Sequence, residues 1–504
     1  MFVAGLTIGD VGAANSLVIS NRGLLINSTN ANLAFEGGSS NMAVVTGGST
    51  WSNSGSLYVG HSGPFNSLVI SGDSTGNGSH VLDTRGYVGF DAFAISNSAV
   101  VSGTNSIWNN SDFLTIGSAS SFNSLVISNG GVVSDAGAFL GSSAGTYESA
   151  LVTGPGSLWT NNGSLSIGSS GSFNSLVISN GGTVYDSSAY LGFKGETLYG
   201  VSNNTVLVIG PSGWVNSGDL TVGYASEFNR VIINGGTVGA SNVYIGFFAT
   251  DMGNTVTVTN GALGVQGTLD VRGGTLLLDS GQVDVGSMLV TNLFGLVEFV
   301  GGTLSSGATQ INFSRLVVGD RTRQATYKLK GGIHGFFEGL TIQSNATLTG
   351  CGTVNGDVQV DPGGKVVVSC GGLTFNGTVT NNGAMAAFNR NVLAANGLVV
   401  NNGLIIFQEG ATNFQGGFIN QGRLINAGDT GIQSVGLSGT DFLVTIQSVA
   451  GLTYELQYTD SLNAPQPWPP AGQPQKGNGN AITLVDPGGA TATQRFYQVV
   501  ITGY

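Results

Sequence analysis

Short hydrophobic segments alternate along this chain with runs of glycine, asparagine and serine, at regular intervals. A Leu-x-(Ile/Val)-Gly segment begins at five positions, and the centre of an Asn-x-(Leu/Val)-(Val/Ile)-Ile segment follows at the same offset after each. The five starting leucines are nearly evenly spaced, at Leu6, Leu57, Leu114, Leu165 and Leu220. Five copies with one internal offset indicate a repeat protein.

Each long repeat also contains a weaker copy of the same segment. Within the segments hydrophobic residues alternate, so that Leu125 and Ile127 fall on one side of a strand. The interval between the final glycines of successive copies, such as Gly117 and Gly141, is long enough for about three short strands. Each long repeat therefore corresponds to two coils, with Leu and Ile stacked inside and Asn ladders at the turns. The sequence predicts an all-β fold, a right-handed parallel β-solenoid (β-helix).

The repeat period divides the chain into four parts. Residues 1–258 hold the paired coils, and residues 259–345 hold irregular coils. Residues 346–430 form tighter coils, in which Gly383, Gly403 and Gly422 mark successive turns. The last part, residues 431–504, contains six of the ten prolines and several alternating runs, of which Phe442–Ile446 is one. It is predicted to form a small, separate antiparallel β-sandwich.

Composition narrows the choice of partners and compartments. The formal net charge of −12 and the pI of about 4.5 argue against nucleic acid, which requires a basic surface. No apolar run is long enough for a membrane span. Residues 1–9 lack the features of a signal peptide and are already in repeat register, so we expect the natural chain to begin further upstream.

Two cysteines, Cys351 and Cys370, are separated in the sequence by the length of one tight coil. They therefore fall at equivalent points on successive coils, where a disulfide is feasible because it needs Cα atoms about 4.4–6.8 Å apart. The alternative is a column of two unpaired thiols. Two cysteines are too few for a four-ligand zinc site, and no metal or cofactor site is predicted.

Tryptophan recurs at a fixed offset before four of the repeat leucines, at Trp51, Trp108, Trp159 and Trp214. On successive long repeats these side chains would form a row with a spacing of ~10 Å. Such a row could stack against sugar rings. The alternative is that each indole fills a corner of the core and donates its N–H to a turn carbonyl.

A basic cluster follows residue 320, with Arg321, Arg323, Lys328 and Lys330 near Phe336 and Phe337. It could bind an anionic polysaccharide, or it could be an exposed loop between two types of coil.

A smaller mixed-charge cluster comprises His80, Asp83, Arg85 and Asp91, and it is the nearest approach to a catalytic grouping in the repeats. Catalysis on a solenoid needs acidic and basic groups that converge on one face. Here the charged residues are scattered, so the chain is predicted not to be an enzyme.

The unit that combines Trp-x-Asn, Leu-x-Ile-Gly, Phe-Asn-Ser-Leu-Val-Ile-Ser and Asn-Gly-Gly-x-Val resembles the autotransporter/PEP-CTERM-associated repeat of bacterial exported proteins. The resemblance covers roughly residues 1–260. The C-terminal residues 451–458 and 494–497 are similar to the Ig/fibronectin-like terminal sandwiches of exported proteins in Verrucomicrobia-type bacteria. The resemblance implies secretion and display of a passenger-like protein at the cell surface.

These observations favour a non-catalytic extracellular or cell-surface repeat protein with a structural or adhesive role. Its candidate partners are polysaccharides and other surface proteins, and no nucleic acid is expected. One alternative is a carbohydrate-active β-helix enzyme, similar to a polysaccharide lyase or hydrolase, with a groove along the solenoid. Another is a spacer that displays the C-terminal sandwich as the binding module.

Overall fold

Parallel coils stacked into a β-solenoid, followed by small antiparallel sheets, make up the described part of the chain. The computed structural model describes residues 1–195, 200–388, 391–407, 412–426, 432–463 and 468–503. The predicted parallel solenoid and terminal antiparallel sheets are confirmed. No helix in this part of the chain has the length and apolar character needed to span a bilayer.

Each regular coil places one strand on each of three faces. We number the faces in the order in which the chain passes through them within one coil, starting after the Asn turn. Face 1 is a parallel ladder to which each coil contributes one strand. Its strands are Ser16–Ile19, Met42–Thr46, Ser67–Ser71, Ser98–Ser102, Ser124–Ser128, Ser149–Thr153, Ser175–Ser179, Thr205–Ile209, Arg230–Asn234, Asn254–Thr259, Gly274–Leu278, Leu296–Phe299, Leu316–Val318, Leu340–Ile342, Val358–Val360, Val379–Asn381, Val399–Asn401 and Phe418–Asn420.

Faces 2 and 3 are separate ladders in the first coils. The face 2 strands there are Phe2–Val3, Leu24–Asn27, Thr50–Asn53, His80–Asp83, Ile107–Asn110, Val132–Asp135, Leu158–Asn161, Thr183–Asp186, Gly213–Asn216 and Thr237–Ala240. The face 3 strands are Leu6–Ile8, Ala31–Leu33, Leu57–Val59, Gly86–Val88, Phe113–Ile116, Gly137–Ser142, Ser164–Ser169, Ser188–Phe193, Asp219–Tyr224 and Asn242–Ile245.

In the middle of the solenoid the two faces merge, because single long strands continue both ladders. These long strands are Gly261–Val271, Gly281–Val290, Gly302–Ile311, Ala325–Phe336, Ala346–Asn355 and Lys365–Phe375. The faces then separate again. The last face 2 strands are Ala384–Ala387, Leu404–Phe407 and Arg423–Asn426, and the last face 3 strands are Val392–Ala395 and Thr412–Phe414.

Large and small core residues alternate from coil to coil, which explains why the sequence repeat spans two coils. On face 2, Trp108 pairs in register with Val133, and Val133 pairs with Trp159. On face 1 the order is reversed, because Ala99 lies in the coil of Trp108 and pairs with Leu125. A coil with a large residue on face 2 thus has a small one on face 1, and volume is balanced within each coil.

The predicted Asn ladder is present at the turn before face 1. Its members are Asn15, Asn41, Asn66, Asn97, Asn123, Glu148, Asn174, Asn204, Asn229 and Asn254. The Oδ1 of Asn123, for example, accepts a hydrogen bond from the backbone N–H of Asn97 at 2.8 Å. Gly89, which ends a repeat segment, has positive φ, and a Cβ there would lie 2.3 Å from Asn123. The ladder therefore explains the glycine of the Leu-x-Ile-Gly motif.

Cys351 and Cys370 form a disulfide, which confirms the pairing on successive coils; their Cα atoms are 5.3 Å apart. The bond lies where the register of the two long strands shifts, beyond the pairing of Gly350 with Val368. It therefore joins two coils covalently at an irregularity of the ladder.

The C-terminal region forms two antiparallel sheets that pack on the solenoid. One sheet consists of Ile432–Ser438, Asp441–Gln447 and Ala481–Asp486, and the other of Gln475–Lys476, Thr453–Thr459 and Phe496–Gly503, with a 3-10 turn at Gly489–Thr491. Their core includes Val444 and Tyr454, and it is continuous with Ala386, Phe388 and Ile406 of the last coils. The sheets thus share a hydrophobic core with the solenoid. The boundary expected at residue 431 lies outside the described residues.

We expect that the segment 114–164 can be deleted with little loss of stability. The deletion removes two whole coils, so the alternation of large and small residues is preserved. Deleting only the segment 114–137 removes one coil and would place Trp108 directly beside Trp159. Overpacking of this kind costs roughly 1–3 kcal/mol, so the one-coil variant should have the lower Tm. Circular dichroism melts of the two variants and the parent give the comparison, and equal Tm values for both deletions would contradict the two-coil unit.

Candidate functional site

The four repeat tryptophans are completely buried, so their interpretation as a sugar-stacking row is wrong. The indole N–H of Trp108 donates to Asp83 at 2.8 Å, and the same bond is repeated in the two following long repeats, at 2.9 Å from Trp159 to Asp135 and at 2.7 Å from Trp214 to Asp186. The acceptor is a carboxyl group of the preceding coil, not the turn carbonyl we expected. The Trp51 N–H has no acceptor within the described residues.

These aspartates are carboxyl groups enclosed in the core. Burial raises the pKa of Asp83 to about 8, and it raises the pKa of Asp135 and of Asp186 to about 7. Glu148, which replaces an Asn in the ladder, is fully buried, and its pKa rises to about 8 for the same reason. The folded protein therefore favours the neutral form of all four groups.

The basic cluster is largely neutralised by aspartates. Arg321 lies 3.6 Å from Asp361. Arg323 forms ion pairs with Asp279 and Asp320, and Lys330 pairs with Asp284. Lys328 is exposed on face 2. Aspartates thus compensate the positive charges of Arg321, Arg323 and Lys330. This pairing weakens the attraction of the basic cluster for a free anion.

The smaller mixed-charge cluster does not form one site. Asp83 is in the core with Trp108, whereas Asp91 lies in the turn after face 3. There Asp91 accepts a hydrogen bond of 2.6 Å from Ser62, and Ser62 lies 3.0 Å from the imidazole of His61. The ring of His61 packs between Phe35, Tyr58 and Phe90, with centroids 4.7–5.1 Å away.

The feature that stands out is a row of aromatic side chains on the outer surface of face 3. Strand register places one outward residue of each coil in a single column. In order, this column contains Tyr58, Tyr87, Thr115, Phe139, Ser166, Tyr190, Thr221, Tyr244, Asp270, Leu289, Gln310, Gly335 and Asn355. We call its aromatic part, from Tyr58 to Tyr244, the aromatic strip.

Rings and small polar residues alternate along most of the aromatic strip. Thr115, Ser166 and Thr221 point outward, yet each is almost fully buried. Rings from the neighbouring coils therefore cover them, while the rings themselves stay partly exposed. The result is a band of aromatic surface with one ring every second coil, a spacing of ~10 Å.

Further rings widen the aromatic strip at the turn after face 3. Phe193 packs on Tyr190 and on Tyr224, with centroids 5.4 and 5.0 Å apart. Phe247 lies 4.8 Å from Tyr224. The guanidinium of Arg272 lies 5.1 Å from the Phe247 centroid and closes this end of the strip.

The charged groups beside the aromatic strip are mostly paired. Arg85 bonds to Asp112 at 2.6 Å, and Arg272 bonds to Asp270 at 2.8 Å. Within the described residues, no group of three potential ligands could hold a metal ion. The strip is therefore a mainly uncharged surface that offers aromatic rings and hydroxyl groups.

Sequence reasoning missed the aromatic strip, although a signal was present. In four of the weaker repeat copies the second residue is aromatic, at Tyr87, Phe139, Tyr190 and Tyr244. In the strong copies from residue 114 onward the same position holds Thr or Ser. The alternation was visible, but its meaning depends on which side of the strand faces outward.

Comparison with known proteins gives no match, either to a protein-family model or to a curated protein.

Ionisation of the buried carboxyls should make the protein less stable as the pH rises. Their pKa values in the fold lie above those of the unfolded chain, so their stabilising effect is complete below about pH 4. It is lost progressively as the pH rises to about 8. We expect Tm, measured by calorimetry from pH 4 to 9, to fall across this window.

The substitution Asp135→Asn separates this effect from other titrations. The amide keeps an acceptor for Trp159 but cannot ionise, so at pH 9 the variant should be more stable than the parent by ~1–3 kcal/mol. At pH 4 the two should melt alike. Asp112→Asn, which removes a carboxylate outside the core, is the control and should not reproduce the gain in stability at pH 9. A profile of Asp135→Asn identical to that of the parent would rule out this role of the buried carboxyls.

Proposed function

We propose that this chain is a non-catalytic, exported repeat protein that holds polysaccharide on face 3, in a structural or adhesive role outside the cell. The observation that carries the proposal is the aromatic strip. Sugar rings have apolar faces of C–H groups that stack on aromatic rings, and their hydroxyls can form hydrogen bonds with the tyrosine hydroxyls of the strip. A regular row of rings suits a polymer with a regular repeat.

Export is supported by two further observations. The Cys351–Cys370 disulfide is of the kind that persists in oxidising compartments. The repeat also resembles the autotransporter/PEP-CTERM-associated repeat, and the C-terminal sheets resemble terminal modules of exported bacterial proteins. On this proposal the solenoid is a passenger-like domain, and its length provides an extended contact surface.

The repeat itself supplies the variants that test the aromatic strip. Phe139, Tyr190 and Tyr244 can be replaced by Thr, the residue that Thr115 and Thr221 provide at the same position in other coils. We expect the triple variant to keep its Tm within a few degrees and to lose at least tenfold in affinity for insoluble polysaccharide. Co-sedimentation with a panel of cell-wall and matrix polysaccharides measures retention, and assay of the supernatant measures released sugar.

Tyr185→Thr is the matched control, because Tyr185 is an exposed aromatic residue on face 2. It should retain parental binding. Equal loss of binding in Tyr185→Thr and the triple variant would contradict a site on face 3. Release of oligosaccharide by the parent protein would favour the alternative of a carbohydrate-active enzyme.

A further inference from the structure

A pocket lies on face 3, where the column of the aromatic strip continues into the long strands. Its volume is about 640 Å³. Gly335 forms its floor, because the register Gln310–Gly335–Asn355 leaves a position without a side chain between two amides. We call it the Gly335 pocket.

Apolar side chains border the Gly335 pocket on the strand that carries the glycine. Ile333 and Phe337 precede and follow Gly335 at alternate positions, and both line the pocket. Ile333 is 62% exposed and Phe337 83% exposed. Phe337 therefore contributes little to the core, and packing in the fold does not explain an aromatic residue there.

Amide groups supply the polar part of the Gly335 pocket. The Nε2 of Gln310 donates to the Oδ1 of Asn312 at 3.3 Å, and the Oδ1 of Asn355 accepts from Asn376 at 2.7 Å. No hydrogen bond within the described residues engages the Gln310 Oε1 or the Asn355 Nδ2. One acceptor and one donor thus remain on opposite sides of the glycine, two coils or ~10 Å apart.

The chemistry of the lining specifies the kind of ligand. The described residues that line the pocket include no charged side chain, so an ionic ligand would lose its hydration without compensation. An apolar ring with hydroxyls at its edge would pack against the aliphatic and aromatic side chains of the pocket. Its hydroxyls would form hydrogen bonds with the amides.

We propose that the Gly335 pocket binds one uncharged pyranose unit, with Phe337 and Ile333 against the ring and Gln310 and Asn355 on its hydroxyls. This inference rests on the proposed function, because it places one sugar of the bound polysaccharide at a defined point. The aromatic strip provides an extended, weakly selective surface. The pocket provides the position at which one sugar is recognised.

Gly335 allows a direct test, since the pocket can be filled without disturbing the fold. A Cβ added at Gly335 would meet only the backbone oxygen of Thr309, at 3.8 Å. Gly335→Leu should therefore fold normally and occlude the pocket. Gly264→Leu is the matched control on face 2, where an added Cβ meets no atom within 4 Å.

The measurement is saturation-transfer difference NMR with a panel of neutral methyl pyranosides and short neutral oligosaccharides. We expect the parent and Gly264→Leu to bind at least one of these sugars, and Gly335→Leu to lose at least tenfold in affinity. Phe337→Ala should weaken binding in the same direction. All variants should have the parental Tm.

Two results would overturn the assignment of the pocket. The first is unchanged sugar binding in Gly335→Leu, and the second is no saturation transfer from the parent to any neutral sugar. The polysaccharide retention assay reports separately on the aromatic strip. If the protein still co-sediments with polysaccharide while the pocket binds no sugar, the proposed function stands and only the pocket assignment fails. If the protein co-sediments with no polysaccharide, both the proposed function and the pocket assignment fail.

Discussion

Neighbouring coils are held about 4.8 Å apart by the parallel ladders, so every side chain must fit the one directly above it and the one directly below it. A core of fixed cross-section has no room for an indole on one face opposite a large residue on another, and an ionised carboxylate cannot be stacked on another. The molecule meets both constraints by alternation. Trp108 and Trp159 are separated by Val133, and the buried Asp135 occurs in the coil without a Trp. The same coil therefore supplies the space beside the indole and the acceptor for its N–H.

The alternation inside the solenoid has a counterpart outside. Phe139, Tyr190 and Tyr244 occur in the coils that carry Val in the core, and Thr115, Ser166 and Thr221 occur in the coils that carry Trp. Each wide outer ring thus has room to cover a short neighbour. From Thr115 to Tyr244, the spacing of the aromatic strip thus follows the two-coil period of the core.

Periodic features of this protein could be predicted from sequence, whereas features that depend on side-chain direction could not. Strands such as Ser124–Ser128 and the Asn ladder follow from repeat spacing, which also placed the two cysteines on successive coils but left open whether they are bonded. Trp108 was ambiguous because Ile107 beside it is also apolar, so period-two alternation does not decide which residue points inward. The Gly335 pocket depends on a register that shifts within a long strand between Ser306 and Thr309. No local pattern in the sequence specifies that shift.

The disulfide between successive coils has a mechanical consequence. Backbone hydrogen bonds between coils run along the solenoid axis, so a force that pulls on the N-terminal end peels coils away one after another. Each peeled coil releases its chain and lengthens the molecule. At Cys351 the released chain remains tied to Cys370, and the residues between them cannot extend. Unravelling from that end therefore gains no length from residues 352–369, because the load passes through the disulfide directly from one coil to the next.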